Sequence, residues 1–196
     1  MARTVGREKA GAPGEAVVRL KVTLKGTKPP VWRRLLVPGS MTLADLCEAI
    51  LTGMGWVGGH LHSFEVDGRQ YGDPSLVDDV ADEKRVTLNG LRKSGVKSFV
   101  FTYDFGDDWE HGVVIEKAEA AAPGQARPVC VAGARNCPPE DCGGVWGYAE
   151  LLEILADPDH PEREERMEWI GEDFDPEAFD VAEADRRLAA RFRQRR

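Results

Sequence analysis

The sequence holds no apolar run of the roughly 18 residues that a membrane-spanning helix requires, which predicts a chain without a transmembrane segment. Its opening residues, MARTVGREKAGAPGEA, are basic but lack the apolar stretch of a secretory signal, so a cytoplasmic protein is the expectation. The common nucleotide and hydrolase signatures are missing: there is no Walker loop, no G-x-G-x-x-G, no G-x-S-x-G and no H-E-x-x-H. Serine is scarce, and none of Ser40, Ser63, Ser75, Ser94 and Ser98 has a triad-like setting. Cysteine is limited to four residues, without the C-x2-C knuckle of common zinc sites. Lysine disappears after Lys117. The missing motifs tilt the expectation away from an enzyme without excluding one.

What remains is a chain of 196 residues, 42% hydrophobic and 31% charged, long enough to bury a core and well solvated outside it. The net charge is 26 − 34 = −8, but its distribution is uneven. Residues 1–34 hold nine Lys or Arg against Glu8 and Glu15, residues 150–185 hold fifteen acids against Arg163 and Arg166, and the last eleven residues hold six arginines and no acid. Such segments either neutralise one another or present charge to a partner.

Residues 99–115 are the most informative stretch. Phe99, Phe101, Tyr103 and Phe105 recur with a period of two, predicting a strand with one aromatic face. Gly106-Asp107-Asp108 predicts a turn, and His111, Val113 and Ile115 a return strand. Upstream, Val18, Leu20, Val22 and Leu24 alternate with Arg19, Lys21, Thr23 and Lys25, a half-buried strand with a basic outer face, followed by a strand over Val31–Val37. Thr42 is an N-cap for a helix from Leu43 to about Met54, with Asp45 at its third position. Asp67-Gly68 predicts a tight hairpin. Residues 72–84 read as loop, 86–88 as a short strand and 88–93 as one helical turn. Beyond Lys117, residues 130–147 read as irregular, and helices are predicted over 149–156, from Asp159 or His160 to Ile170, and from Asp175-Pro176 toward Arg193.

The organisation predicted is a mobile tail over 1–16, an α+β domain over 17–185 and a basic C-terminal end over 186–196. Within the domain, residues 17–117 form the sheet part and 128–185 the cysteine loop and helices. The sheet is expected to be mixed and mostly antiparallel, with one helix packed across it in a split β-grasp-like arrangement and further helices at the C-terminus.

Three sets of side chains could carry chemistry. Asp104, Asp107, Asp108, Glu110 and His111 cluster at the aromatic hairpin; carboxylates suit Mg²⁺ or Mn²⁺, and such a centre could hydrolyse a phosphoester, although Asp and Gly are also ordinary turn residues. Cys130, Cys137 and Cys142 could converge on a structural Zn²⁺, with His111, Cys47, His60, His62 or Asp141 as a fourth ligand; they could equally stay free or pair once. Lys21, Lys25, Arg33 and Arg34 could contact phosphates while Trp32 stacks on a base.

The stretches LKVTLKGTKPPVWRRLLVPGSMTLADL, MGW…HLHSFEV, FTYDFGDDWEHGVVIEK, CPPEDCGGVWGYAELLEILADPDHPE and FDPEAFD resemble the plasmid pRiA4b ORF-like family of bacterial and archaeal genomes, plasmids and some insertion elements. The resemblance spans roughly residues 17–185. It implies one α+β domain and a link to mobile DNA, and it carries no catalytic residue to this sequence. The expectation is therefore a non-enzymatic module that binds a protein or nucleic acid. A metal-dependent hydrolase at the hairpin and a structural zinc domain are the alternatives.

Overall fold

The computed structural model describes residues 16–122, 125–171 and 173–193. Nearly all of the expected N-terminal tail, and the last three residues of the basic end, lie outside them.

Strands β1 (Ala16–Leu24) and β2 (Trp32–Pro38) form a hairpin, followed by helix α1 (Leu43–Met54). Strands β3 (His62–Val66), β4 (Arg69–Gly72) and β5 (Ala81–Asp82), and a short helix α2 (Leu88–Lys93), lead to β6 (Ser98–Tyr103) and β7 (Trp109–Ala120). Strand β8 (Val129–Ala134) and helices α3 (Gly144–Ala156), α4 (Arg163–Ile170) and α5 (Val181–Arg193) complete the chain. The eight strands make one mixed sheet in the order β5-β4-β3-β6-β7-β1-β2-β8, antiparallel except for β4 against β5. This is the α+β class predicted, with a helix after the first hairpin and further helices at the C-terminal end.

Alternation decides which side chains enter the core. Val18, Leu20, Val22 and Leu24 of β1 point inward with Phe99, Phe101 and Tyr103 of β6 and Trp109, His111, Val113 and Ile115 of β7. In register, Phe101 faces both Phe64 and His111, and Tyr103 faces Trp109, so the rings stack across strands as well as along them. Helix α1 closes this layer with Leu43, Leu46, Cys47, Ile50 and Met54. Its ends follow from local sequence: the Thr42 hydroxyl accepts the Asp45 N–H, and Gly55, at φ +117°, returns its N–H to Leu51 O.

The fold corrects several local expectations. Phe105 does not share the aromatic face; the strand ends at Tyr103 because Asp104 adopts φ +57°, and Phe105 turns out to solvent. Residues 86–88 are not a strand, since Thr87 instead caps α2 through its hydroxyl, which accepts the Gly90 N–H. The short strand is β5, within the stretch read as loop. Strand β8 occupies the start of the segment read as irregular. Its sequence VCVAGA has little alternation, and pairing with β2 makes it a strand. Helix α3 starts five residues earlier than expected, through a glycine-rich stretch that would ordinarily break a helix. Those glycines serve close packing: a Cβ on Gly144 would lie 2.3 Å from Asp107 O, and one on Gly147 would lie 1.9 Å from Cys142 O. Helices α4 and α5 begin a few residues later than predicted. Helix α5 docks on the rest of the domain: Ala184 and Leu188 are fully buried in the core, and Arg191 pairs with Glu48 of α1.

Candidate functional site

Three loops meet at one end of the sheet, beyond the C-terminus of β6. They are residues 55–61 after α1, residues 104–108 between β6 and β7, and residues 137–143 before α3. Trp56 is the hinge between the first and third. Its indole is buried against Tyr103, Trp109 and His111, with ring centroids 5.3–5.6 Å apart, and its N–H donates to Pro138 O at 2.9 Å.

The 104–108 loop is an Asp-built turn. Asp104 Oδ1 accepts the Gly106 N–H at 2.9 Å and the Asp107 N–H at 3.4 Å, while the Asp104 N–H donates to Leu61 O at 2.8 Å. Asp107 reaches the other way, and its Oδ2 accepts the Gly143 N–H at 3.2 Å. Glu140 ties the third loop to the end of β6 and to the first loop. Its carboxylate accepts the Tyr103 hydroxyl at 2.6 Å and the Val57 N–H at 3.4 Å.

His60 stands where these loops touch. Its Nδ1 is 3.5 Å from Asp104 Oδ2 and its Nε2 is 3.5 Å from Asp141 Oδ1. The ring stands edge-on to Tyr103, 5.7 Å between centroids. Among the described residues, His60, Asp104 and Asp141 are the set of three ligating side chains whose donor atoms lie within 4.8 Å of one another. Asp104 is mostly buried and held by backbone N–H groups; His60 and Asp141 are open to solvent.

The five polar residues of the aromatic hairpin do not form one centre. Asp104 and Asp107 are in the turn, and Asp108 is exposed. Glu110 faces the opposite side of the sheet, 3.3 Å from Lys25 Nζ. His111 lies fully inside the core, with Nδ1 3.3 Å from Phe101 O and Nε2 without a partner. Burial pushes its pKa down to about 4, so it is neutral at physiological pH. The strand's period of two separates Glu110 from His111, and no turn residue can rejoin them.

The cysteines are all free thiols. Cys130, Cys137 and Cys142 do not gather into a ligating group among the described residues. Cys130 sits on β8 and its N–H donates to Asp185; Cys137 is buried, and Cys142 is half-buried beside the three-loop end. Desolvation raises all of their pKa values, that of Cys142 to about 12, so the thiolate form is disfavoured.

Of the four basic residues proposed for phosphate contact, Arg33 lies on the opposite face of the sheet from Lys21 and Arg34. Arg33 is 1% exposed, a correction that alternation explains: in β2 it shares the inward face with Leu35 and Val37, while Trp32 and Arg34 point outward. Its guanidinium donates to the carbonyls of Trp32, Gly53, Met54 and Ala134 and stacks on Phe179, 4.0 Å from the ring centroid. On the outer face, Arg34 is bidentate to Glu116, Arg19 pairs with Glu119, and Lys21 and Arg34 both lie over Trp32, 5.2 Å from its ring centroid.

The His60–Asp104–Asp141 set joins residues that the sequence shows only as separate candidates. One signal was available. Antiparallel pairing of His62 with Tyr103 brings residues 60 and 61 beside Asp104 once the strand register is known. Nothing local joins Asp141 to His60 and Asp104.

The family described as "Plasmid pRiA4b ORF-3-like protein" matches residues 16–183. The chain is 41% identical over 172 residues to the uncharacterized protein y4hQ of Sinorhizobium fredii (strain NBRC 101917 / NGR234), covering 86% of this chain and 88% of that protein. It also resembles the crystal structure of MM3350, a protein of unknown function from Methanosarcina mazei Go1. The TM-score is 0.81 and the identity 42%, over 86% of this chain and 97% of the other. No described helix is long and apolar enough to cross a membrane.

Proposed function

The chain belongs to the plasmid pRiA4b ORF-3-like family, and on that premise we propose that it is a non-enzymatic binding module that recognises a protein partner through the three-loop end of its sheet. The observation that carries this reading is the concentration of exposed apolar side chains on those loops. Val57 and Leu61 lie on the first and Phe105 on the second, while Trp146 follows the third in the opening turn of α3, 85% exposed. They accompany Asp107, Asp108, Glu140 and Asp141, so the end offers both apolar area and fixed charge on loops held by a rigid sheet.

The perturbed titratable groups favour binding over catalysis. His111 is sealed in the core, and the Tyr103 hydroxyl and the thiols are shifted toward their protonated forms; none is both accessible and poised near neutral pH. Nucleic acid is the weaker partner, because Glu110, Glu116 and Glu119 already neutralise the basic strand face and Arg33 is buried.

Affinity capture from cell extract, with hydrogen exchange to map protection, tests this. The expected outcome is a protein partner retained by Arg34→Glu, lost on Phe105→Ser combined with Trp146→Ser, and protecting residues 55–61, 104–108 and 137–146. Binding of labelled DNA or RNA that falls steeply with salt and is abolished by Arg34→Glu would refute it.

A further inference from the structure

We propose that His60, Asp104 and Asp141 bind one divalent transition-metal ion, Zn²⁺ or Mn²⁺, at the three-loop end. The donor set is one imidazole nitrogen and two carboxylate oxygens, a mixture suited to these ions rather than to Ca²⁺, which favours an all-oxygen cage. Donor atoms around such an ion sit about 2.0–2.2 Å from it, which places neighbouring donors roughly 3–3.5 Å apart. One ring nitrogen of His60 serves one ion: Nδ1 stands 3.5 Å from Asp104 Oδ2, longer than a good hydrogen bond and close to that spacing, and one donor atom from each of the three residues lies within 4.8 Å of the others. His60 and Asp141 are solvent-facing and can close the remaining distance by side-chain rotation.

The site is prepared in the way metal sites are. Asp104 Oδ1 is occupied by backbone N–H groups, which aims Oδ2 at His60, and the Asp104 N–H is tied to Leu61 O. Asp104 and Asp141 sit at φ +57° and +60°, left-handed positions maintained by the surrounding loops. The Tyr103 ring backs His60, and its hydroxyl anchors Glu140, the neighbour of Asp141. Three protein ligands leave coordination positions open to water or to an acidic group of a partner. The metal is thus assigned to a histidine and two carboxylates from three loops, not to the thiols. This inference rests on the same end of the sheet being functional, but its test uses the metal alone, so it stands or falls apart from partner binding.

The test is titration of chelator-treated full-length protein with Zn²⁺ and with Mn²⁺, by calorimetry and by the electron paramagnetic resonance of Mn²⁺. We expect one ion per chain, weakened about 100-fold or more by His60→Ala and by Asp141→Asn and unchanged by Cys142→Ser. The absorption edge of the zinc form should show nitrogen and oxygen neighbours only. Asp141→Asn and His60→Ala alter exposed side chains, and circular dichroism confirms that both remain folded. The proposal is overturned by no binding of either ion at about 100 µM, a level that weak sites reach, by sulfur in the zinc shell, or by full binding after both substitutions.

Discussion

Replacing Arg33 with methionine tests whether this residue belongs to the fold rather than to a phosphate-binding face. The guanidinium supplies donors to Gly53 O at 3.0 Å, Met54 O at 3.3 Å and Ala134 O at 3.0 Å, besides Trp32 O at 2.9 Å. Gly53 and Met54 are in the last turn of α1, whose carbonyls have no helical donors and whose dipole end attracts a cation. Methionine keeps the apolar stem but leaves these acceptors buried. Each unsatisfied buried acceptor costs about 1–3 kcal/mol, and removing the buried charge returns part of that, so the net loss is about 3–4 kcal/mol. In a chain of this size that corresponds to a fall in Tm of roughly 10 °C, measurable by scanning calorimetry. Arg33→Lys should fall in between, since an ammonium cannot fork across the carbonyls or stack on Phe179. Arg34→Met, which breaks a surface pair with Glu116, should cost less than about 1 kcal/mol. If Arg33→Met melts within about 2 °C of the parent, the carbonyl-neutralising role is wrong.

His111 should make stability acid-sensitive. Its folded pKa of about 4 lies below the 6.5 of an unperturbed imidazole, so the unfolded chain binds the extra proton first. Stability is then full above pH 6.5 and declines as pH falls toward 4, by about 3 kcal/mol in all, and His111→Phe should flatten urea midpoints measured across that window. The thiols, held protonated by burial, should react slowly with a disulfide reagent at neutral pH in the folded protein; prompt modification of Cys137 or Cys142 would contradict their placement. Gly147→Ala should lower Tm and displace the 137–143 loop, because the added methyl would meet Cys142 O at 1.9 Å; a crystal structure with the loop unmoved would refute that packing.

Much of the architecture was readable wherever a local pattern was strong. The limits and caps of α1 follow from Thr42, the apolar spacing and Gly55, and the Asp67-Gly68 hairpin from two residues. The burial of Arg33 was readable too, since it is two residues from Leu35 on one strand; its charge hid that parity. Strand β8 and the start of α3 were not readable, because alanine and glycine carry little pattern and acquire their conformation from β2 and from the 104–108 loop.

Where the local pattern is strong, the amino-acid order alone determined the periodicities: which of those stretches become helix or strand, which faces turn inward, and where the Asp-rich turn falls. Those properties act between residues a few positions apart, and the chain needs no distant contact to express them. Tertiary structure decided which loops share one end of the sheet. His60, Asp104 and Asp141 are separated by about forty residues at each step, and their donor atoms come within 4.8 Å only because β3 pairs with β6 and Asp107 and Glu140 fasten the third loop onto the first two.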